Sequence, residues 1–389
     1  MKLLRSGLLY YQITRRRSDI IITVMKVYEF KLRPNKSQVV EIERMLDRTR
    51  TVYNEALEQL VMHHRDTGKY LHKFEQDRLY NKETVPDLPA MVVDCVIDRL
   101  HKSFKSFLTH KGVGHPRFQS KDRWHSFEYR DAKFGGRIVD GVWRMTKYLR
   151  VKVIQHREME GIIKKTRLVK KADGYYVQAV CESEDLPKKV LVKGIGVDLG
   201  LKYFIADSSG KKIDAPQYFR KSLRKLARIQ KSVSRKTVGS SNRWKARQVL
   251  GKHHLKVTNQ RRDFLHKVST EYAKSYDYVV MEDLVIKNMV RNHHLALSIN
   301  DASWYEFKTM LAYKLRTLGG QLLLVNPAYT SQTCSNCGAV AKKSLSQRTH
   351  YCPQCLYIDC RDVNAAKNIL RLGQPTVEQH NSVASKQAV

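Results

Sequence analysis

The sequence predicts a multidomain protein in which an α+β half precedes an α/β half. Helical periodicity dominates residues 34–121, a shorter strand-like periodicity follows over residues 122–192, and helices alternate with strands after Gly194. At 389 residues, the chain is long enough for two or three compact units. Hydrophobic residues make up 42% of it, which is enough for packed cores and argues against wholesale disorder.

The first half begins with one strand and two helices. Apolar and polar residues alternate from Met25 to Leu32 and stop before Pro34, as expected of a strand. Apolar residues then recur at helical spacing up to Gly68, and again from Pro89 to Gly112. Helix packing is the simplest explanation of both stripes, so residues 34–121 are predicted to form a helical lobe.

Strand-like segments follow the helical lobe. They cover residues 151–154, 162–169 and 175–181, and the last two are joined by an Asp173-Gly174 turn. We therefore expect residues 122–192 to form a β-rich unit, a small barrel that takes in the strand at 25–33. Outside these units, we expect a disordered N-terminal extension at 1–24, without a targeting function, and a disordered Ser- and Gln-rich tail at 372–389.

The charge of the chain indicates a polyanionic partner. Lys and Arg number 72 against 37 Asp and Glu, which leaves a formal charge of +35. Such an excess repels itself unless a partner neutralises it, and nucleic acid does so with release of counterions. A membrane is the weaker alternative, because the sequence has no run of about 18 apolar residues to span a bilayer.

The positive charge is densest between Asp214 and Asp263. This interval contains 15 Lys and Arg and no acidic residue. A solvated helix face is the ordinary interpretation of a charge run, but 15 uncompensated charges favour phosphate contact. The predicted nucleic-acid-binding residues are Arg220, Arg224, Arg228, Lys231, Arg235, Arg243, Arg261 and Arg262.

The cysteines predict one structural zinc site. Cys334 and Cys337 form one CxxC pair, Cys352 and Cys355 form another, and 14 residues separate the pairs. Two such turns supply the four thiolates that a tetrahedral Zn²⁺ takes, with no position left for a substrate. Cys360 is expected to be a core residue near this site and not a fifth ligand. The remaining two, Cys95 and Cys181, are expected to be reduced core thiols, which fits a reducing cytoplasm.

Three acidic residues stand at the ends of predicted elements. Asp198 lies near the end of an apolar strand, Glu282 lies at the exit of a second one, and Asp362 lies where a helix begins. An isolated acid in such a position is ordinarily a cap or turn residue. Three of them on separate elements can instead converge on Mg²⁺, and two such ions can hydrolyse a phosphodiester.

Together, these motifs make the chain resemble the TnpB family. Members of this family are nucleases encoded by insertion sequences and are related to compact type V CRISPR effectors. The resemblance covers residues 25 to about 372. It rests on YEFKLRP at 28–34, HPRF at 115–118, DLG at 198–200, RDFLHK at 262–267, EDL at 282–284, DASW at 301–304, YTSQTC at 329–334 and RDVNAA at 361–366.

The resemblance implies a domain plan. It comprises a wedge domain at 25–33 and 122–192, a recognition lobe at 34–121, a RuvC nuclease of RNase H-like fold at 193–333 and 356–371, and a zinc-ribbon insert at 334–355. It also implies that Asp198, Glu282 and Asp362 are the catalytic ligands of Mg²⁺ or Mn²⁺, two ions in number, with Asp359 a minor alternative for the third position.

The expected partners are a guide RNA and a double-stranded DNA target that carries a short adjacent motif, bound by a monomeric ribonucleoprotein. Two other functions compete with RNA-guided cleavage. A nuclease-dead RNA-guided repressor would lack a triad acid, whereas all three are present. A transposase of RNase H fold would usually arrange its acids Asp, Asp, Glu, whereas this chain has Asp, Glu, Asp.

Overall fold

The computed structural model describes residues 9–16, 19–132, 135–145, 148–184, 190–341, 344 and 347–387. The predictions for residues 1–8, 17–18 and 388–389 therefore lie outside the described residues. The chain divides into two compact units, Met1–Glu184 and Asp185–Val389. Among the described residues, no helix combines the length and the apolar character that a membrane span requires.

The first unit combines one eight-stranded sheet with three helices. In chain order its elements are β1 (Leu9–Arg16), β2 (Asp19–Arg33), α1 (Lys36–Thr67), α2 (Lys73–Leu79), α3 (Ala90–Thr109), β3 (Ser126–Tyr129), β4 (Arg137–Val139), β5 (Val142–Met145), β6 (Leu149–Ile154), β7 (Ile162–Lys171) and β8 (Gly174–Glu184). The predicted strands at 151–154, 162–169 and 175–181 are confirmed as parts of β6, β7 and β8. Asn35 caps α1 and Gly68 ends it in the left-handed region, as its residue type allows.

The predicted barrel is not closed. The eight strands follow the order β3-β7-β8-β2-β6-β5-β4, with β1 paired to β2. The end strands β3 and β4 form no hydrogen-bonded pair in the part of the chain that is described, so the sheet is open. The core of this unit includes fully buried Phe30 and Trp143, and α1 and α3 supply the buried helical face that the periodicity predicted.

The prediction of disorder at the N-terminus is wrong for residues 9–16 and 19–24. These residues form a β1–β2 hairpin whose register runs from Leu9 opposite Lys26 to Arg16 opposite Asp19. The physical reason is that β8 continues to pair with β2 as far as Thr23, two residues before Met25, and the remaining residues 19–22 find their backbone partners in β1.

The second unit is built on a mixed five-stranded sheet. Its elements are β9 (Gly194–Leu199), β10 (Tyr203–Asp207), β11 (Lys212–Asp214), α4 (Tyr218–Ser234), α5 (Ser241–Ser275), β12 (Tyr278–Glu282), α6 (Ile286–Met289), α7 (His293–Ala302), α8 (Trp304–Thr317), β13 (Gln321–Val325), β14 (Thr349–Tyr351), β15 (Ile358–Cys360) and α9 (Arg361–Gln387). The order is β11-β10-β9-β12-β13, and the pairs β9–β12 and β12–β13 are parallel. The strands β14 and β15 form a separate hairpin.

Two helical layers cover this sheet. On one face, Val279 and Met281 of β12 pack with Leu265 of α5 and Phe307 of α8. The alternate residues of β12 point to the other face, where Val280 packs with Ile369 of α9. The α/β half predicted from Gly194 onward is therefore confirmed.

The prediction of a disordered tail is wrong for residues 372–387, because α9 continues to Gln387. Val377 is buried in the same core as Ile369. The side chain of Asn381 accepts a hydrogen bond from the Leu191 backbone N–H (2.8 Å) and donates one to the Leu191 carbonyl (2.9 Å). These contacts offset the composition of the segment, whose Pro375 favours a break in the helix.

Candidate active site and metal centre

The strands β9 and β12 bring two of the predicted acids to the same face of the sheet. The last recorded pair in their parallel register is Val197 with Met281, and Asp198 and Glu282 are the next residues. Since side chains alternate along a strand, Asp198 shares a face with Gly196, and Glu282 shares one with Val280. That is the face covered by α9.

The helix α9 brings the third acid to this face, because glycines let it approach the strands closely. A Cβ on Gly196 would lie 2.1 Å from the Ala366 carbonyl oxygen, and one on Gly373 would lie 2.6 Å from Cγ2 of Val280. Asp362 is in the first turn of α9, where the helix dipole favours a carboxylate.

The three acids interact electrostatically. Burial, followed by the negative charges of Glu282 and Asp362, raises the pKa of Asp198 to about 8, while Arg361 acts in the opposite direction. Burial also raises the pKa of Glu282, against a hydrogen bond from Thr330 that favours its charged form. The structure thus brings the predicted residues Asp198, Glu282 and Asp362 together in a poorly solvated cluster. Three carboxylates are a donor set that suits a divalent cation.

The neighbouring acids have other partners. The carboxylate of Asp359 pairs with Lys367 at 2.8 Å and accepts a hydrogen bond from the Tyr357 hydroxyl at 2.7 Å. Burial alone raises the pKa of Asp359, but these hydrogen bonds outweigh it and hold the pKa below its usual value.

Asp283 is mostly exposed and pairs with Lys308 at 2.8 Å. Both arrangements favour Asp362 and Glu282 as the members of the cluster.

A hydrogen-bonded loop connects β12 to α9, and sequence reasoning missed its role. The hydroxyl of Thr330 donates to Oε1 of Glu282 at 2.5 Å, and Thr330 is only 4% exposed. The amide of Asn368 on α9 donates to the carbonyls of Thr330 (2.9 Å) and Thr333 (2.7 Å). Asn364 donates to the Thr333 carbonyl (2.8 Å) and accepts from the backbone N–H of Ser335 (2.9 Å).

The four predicted cysteine ligands converge. The Sγ atoms of Cys334 and Cys355 are 3.7 Å apart, and those of Cys337 and Cys352 are 3.5 Å apart. A tetrahedron with Zn–S bonds of about 2.3 Å has edges of about 3.8 Å, so the four sulfurs fit Zn²⁺. Cys360 lies outside this group, and it is half-buried and not the core residue that the sequence analysis expects. In the described part of the chain, no other group of three or more His, Cys, Asp or Glu has all its ligand atoms within 4.8 Å of one another. The carboxylates of Asp198, Glu282 and Asp362 are therefore farther apart than the four cysteine sulfurs.

The two cysteine turns have the same backbone geometry. The N–H of Gly338 donates to the Cys334 carbonyl, and the N–H of Leu356 donates to the Cys352 carbonyl, each at 2.9 Å. Gly338 has a φ of 81° and Leu356 a φ of 58°. The second turn therefore keeps the left-handed residue that favours glycine, although its side chain is leucine.

The eight predicted nucleic-acid-binding residues fall into two groups. Four lie exposed on or just after α4: Arg224, Arg228, Lys231 and Arg235. The other four donate to protein groups: Arg220 to Ser298 Oγ (2.8 Å), Arg243 to the Lys236 carbonyl (2.9 Å), Arg261 to the Asn300 carbonyl (3.4 Å) and Arg262 to Glu306 (2.9 Å).

Asp301, the first residue of the DASW motif, caps the start of α4, a role that the motif alone does not indicate. Asp301, which is 8% exposed, accepts hydrogen bonds from the backbone N–H groups of Phe219 (2.9 Å) and Arg220 (3.1 Å). These are two of the N–H groups that a helix leaves without an internal partner. Asp301 therefore caps the basic helix from α7.

Three family profiles match parts of the chain. They are described as "Cas12f1-like, TNB domain" at residues 304–369, "Probable transposase" at 178–293 and "Helix-turn-helix domain" at 24–69. The last description does not fit the geometry, because residues 24–69 contain most of β2 and the single helix α1.

Two relatives match nearly the whole chain. A "Putative RNA-guided DNA endonuclease" of Streptomyces pristinaespiralis is 30% identical over 90% of each chain. "Putative RNA-guided DNA endonuclease InsQ" of Escherichia coli K12 is 30% identical over 90% of this chain and 92% of its own length. Among solved structures, the Cas12f1 protein in a complex with sgRNA and target DNA superposes with a TM-score of 0.54 at 15% identity, over 85% of this chain and 82% of that one. The structural likeness is one of fold.

Proposed function

The chain belongs to the TnpB family, and we propose that it is itself an RNA-guided DNA endonuclease whose cutting site is formed by Asp198, Glu282 and Asp362. The observation that carries this proposal is the convergence of these three carboxylates from two parallel strands and the helix packed on them. Their mutual repulsion in a half-buried position is costly to a chain that binds no cation there.

The residues of the site suit metal-assisted hydrolysis. Bound Mg²⁺ or Mn²⁺ would supply an activated water and stabilise the leaving oxygen of a phosphodiester. The chain's own contribution is to hold Asp198, Glu282 and Asp362 as ligands on rigid elements. Arg361, whose charge lowers the pKa of Asp198, stabilises the ionised cluster. Thr330 favours the ionised form of Glu282.

The zinc site belongs to the scaffold of this proposal. Cys334, Cys337, Cys352 and Cys355 would hold one Zn²⁺, and with four thiolates the ion has no open position for substrate. Asn364 and Asn368 of α9 bind the Thr333 carbonyl, next to the zinc ligand Cys334. Bound Zn²⁺ would therefore help to hold this loop beside the acidic cluster. The role of zinc is therefore structural.

The nucleic-acid partners follow from charge and family. The names of the two relatives specify RNA guidance and DNA cleavage. A formal charge of +35 supports binding of a guide RNA and a double-stranded DNA target together. We assign phosphate contacts first to Arg224, Arg228, Lys231 and Arg235, which are exposed on or next to α4. In this proposal the protein acts as a monomer bound to its guide RNA.

The test is programmed cleavage. RNA that co-purifies with the protein is sequenced, its variable end is replaced with a chosen sequence, and plasmid DNA with the matching target is offered with Mg²⁺. Cutting only at the matched target supports the proposal. Matched binding without cutting would instead indicate a guided repressor, and strand joining would indicate a transposase. Absence of a bound RNA species would contradict RNA guidance itself.

A further inference from the structure

We propose that Thr330 is a positioning residue for the metal ligand Glu282, through which the loop before the zinc site is coupled to the cutting centre. This inference rests on the proposed nuclease function. The contact that carries it is the 2.5 Å hydrogen bond from the Thr330 hydroxyl to Oε1 of Glu282.

The hydrogen bond has a defined direction. A hydroxyl has one proton, and the structure offers that of Thr330 two acceptors, Glu282 Oε1 at 2.5 Å and the Pro327 carbonyl at 3.2 Å. The shorter contact, to a carboxylate, is the stronger one, because charge-assisted O–H···O⁻ bonds are both shorter and more stabilising than neutral ones. Thr330 thus fixes the rotation of the Glu282 carboxylate and favours its ionised form.

Thr330 is itself held by the helix that carries Asp362. Asn368, which is 2% exposed, donates to the Thr330 carbonyl, and it lies on α9 between two points of close approach to the sheet. Asn364, which is fully buried, binds Thr333 and Ser335, the residues on either side of the first zinc ligand, Cys334. Glu282, α9 and the loop before the zinc site therefore form one hydrogen-bonded assembly.

Partners of this kind orient a ligand before the metal arrives. Replacing a residue that hydrogen-bonds to a metal ligand typically costs 10–100-fold in metal affinity or activity. For Thr330→Val, which keeps the side-chain shape and removes the donor, we expect a loss of about 10–100-fold in Mn²⁺ affinity. Thr330→Ser keeps the hydroxyl and should stay near wild type.

The experiment measures Mn²⁺ binding to zinc-loaded wild type, Thr330→Val and Thr330→Ser by calorimetry, together with the Mn²⁺ dependence of cleavage. The expected result is weaker binding and a higher Mn²⁺ requirement in Thr330→Val alone, with unchanged zinc content and target binding. Equal Mn²⁺ affinity in all three proteins would overturn the proposal, and so would equal losses in the Ser and Val variants.

The two readouts separate this inference from the proposed nuclease. If wild type binds Mn²⁺ and does not cut a matched target, the nuclease is contradicted, while the Mn²⁺ affinities of the variants still decide the role of Thr330. If wild type cuts and Thr330→Val has the same Mn²⁺ affinity, only the role of Thr330 is contradicted.

Discussion

Gly196 on β9 lies directly beneath Ala366 of α9, and a Cβ on Gly196 would come within 2.1 Å of the Ala366 carbonyl oxygen. A backbone atom cannot move aside as a flexible side chain can. The absence of a side chain at Gly196 therefore sets the distance between the strand that carries Asp198 and the helix that carries Asp362.

Gly196→Ala should consequently push α9 away from the sheet. We expect a loss of stability of about 1–3 kcal/mol, typical of overpacking, and a loss of cutting although all three acids remain. The matched control is Gly114→Ala, because a Cβ there meets nothing within 4 Å and the backbone is not left-handed. Unfolding free energies and cleavage rates are measured for both. Wild-type behaviour of Gly196→Ala would contradict the assigned packing.

The acidic cluster predicts a pH-dependent metal affinity. Because the pKa of Asp198 is raised to about 8, its carboxyl carries a proton at neutral pH, and a cation must displace that proton to bind. Apparent Mg²⁺ affinity should rise with pH up to the region of about 8, by at most about tenfold per pH unit, and then level off. Calorimetry in buffers of different ionisation enthalpy measures the proton release. No release below pH 8 would count against the raised pKa.

The same shift has a consequence for the metal-free chain. A carboxyl with a raised folded-state pKa favours the folded state while it is protonated, and this contribution is lost as pH rises through about 8. The metal-free protein should therefore lose stability progressively between about pH 4, near the ordinary carboxyl pKa, and about pH 8, and level off above it. Asp198→Asn should remove most of that dependence. Chemical denaturation at several pH values tests the difference between the two proteins.

The two cysteine turns predict stability effects of opposite sign. Gly338→Ala places a Cβ on a left-handed residue and should destabilise the zinc-bound insert by about 1–2 kcal/mol, whereas Leu356→Gly removes that strain. The gain for Leu356→Gly should be smaller, since glycine loses more backbone entropy on folding. The rate of zinc release to a chelator reports both. A faster release from Leu356→Gly would contradict the proposed strain.

Zinc content tests the ligand set itself. We expect about one Zn²⁺ per chain, with loss on Cys352→Ser and retention on Cys360→Ser.

The exposed basic residues predict a change in salt dependence. Replacing Arg224, Arg228 and Arg235 by Gln should weaken binding similarly for all target sequences, because phosphate contacts carry no base information. The slope of log affinity against log salt should fall by about 2–3, close to one per lost contact. Arg220, Arg243 and Arg262 form the matched triple, whose guanidinium groups bind protein partners. We expect a smaller change in slope there, and equal slopes in all three proteins would leave α4 without a role in binding.

The features that the sequence predicted best are those fixed by residue type and spacing. Two CxxC pairs can be recognised as a zinc site without knowledge of the fold, and acids at strand ends can be assigned once the parallel register is expected. Thr330 and Asn368 carry no such local signal, because a Thr–Glu contact across a separation of 48 residues exists only after the sheet and α9 have formed. The YTSQTC motif identifies the loop that contains Thr330, but it does not indicate the hydrogen bond from Thr330 to Glu282.

The errors have related causes. Closure of the first sheet depends on pairing between β3 and β4, which no local pattern specifies. Residues 372–387 have a composition typical of disorder, yet Val377 and Asn381 hold them to the second unit. In each case a few tertiary contacts outweigh local preference.

Asp198, Glu282 and Asp362 are the proposed metal ligands of the DNA-cutting site, and guide-programmed cleavage by single variants tests this role most directly. Asp198→Ala, Glu282→Ala and Asp362→Ala should each abolish cutting of the matched target while guide and target binding persist, because each removes a proposed metal ligand and no binding surface. Asp359→Ala should still cut, since Asp359 is paired with Lys367. Normal cutting by Asp362→Ala together with loss of cutting by Asp359→Ala would contradict the assignment of Asp362 as the third metal ligand.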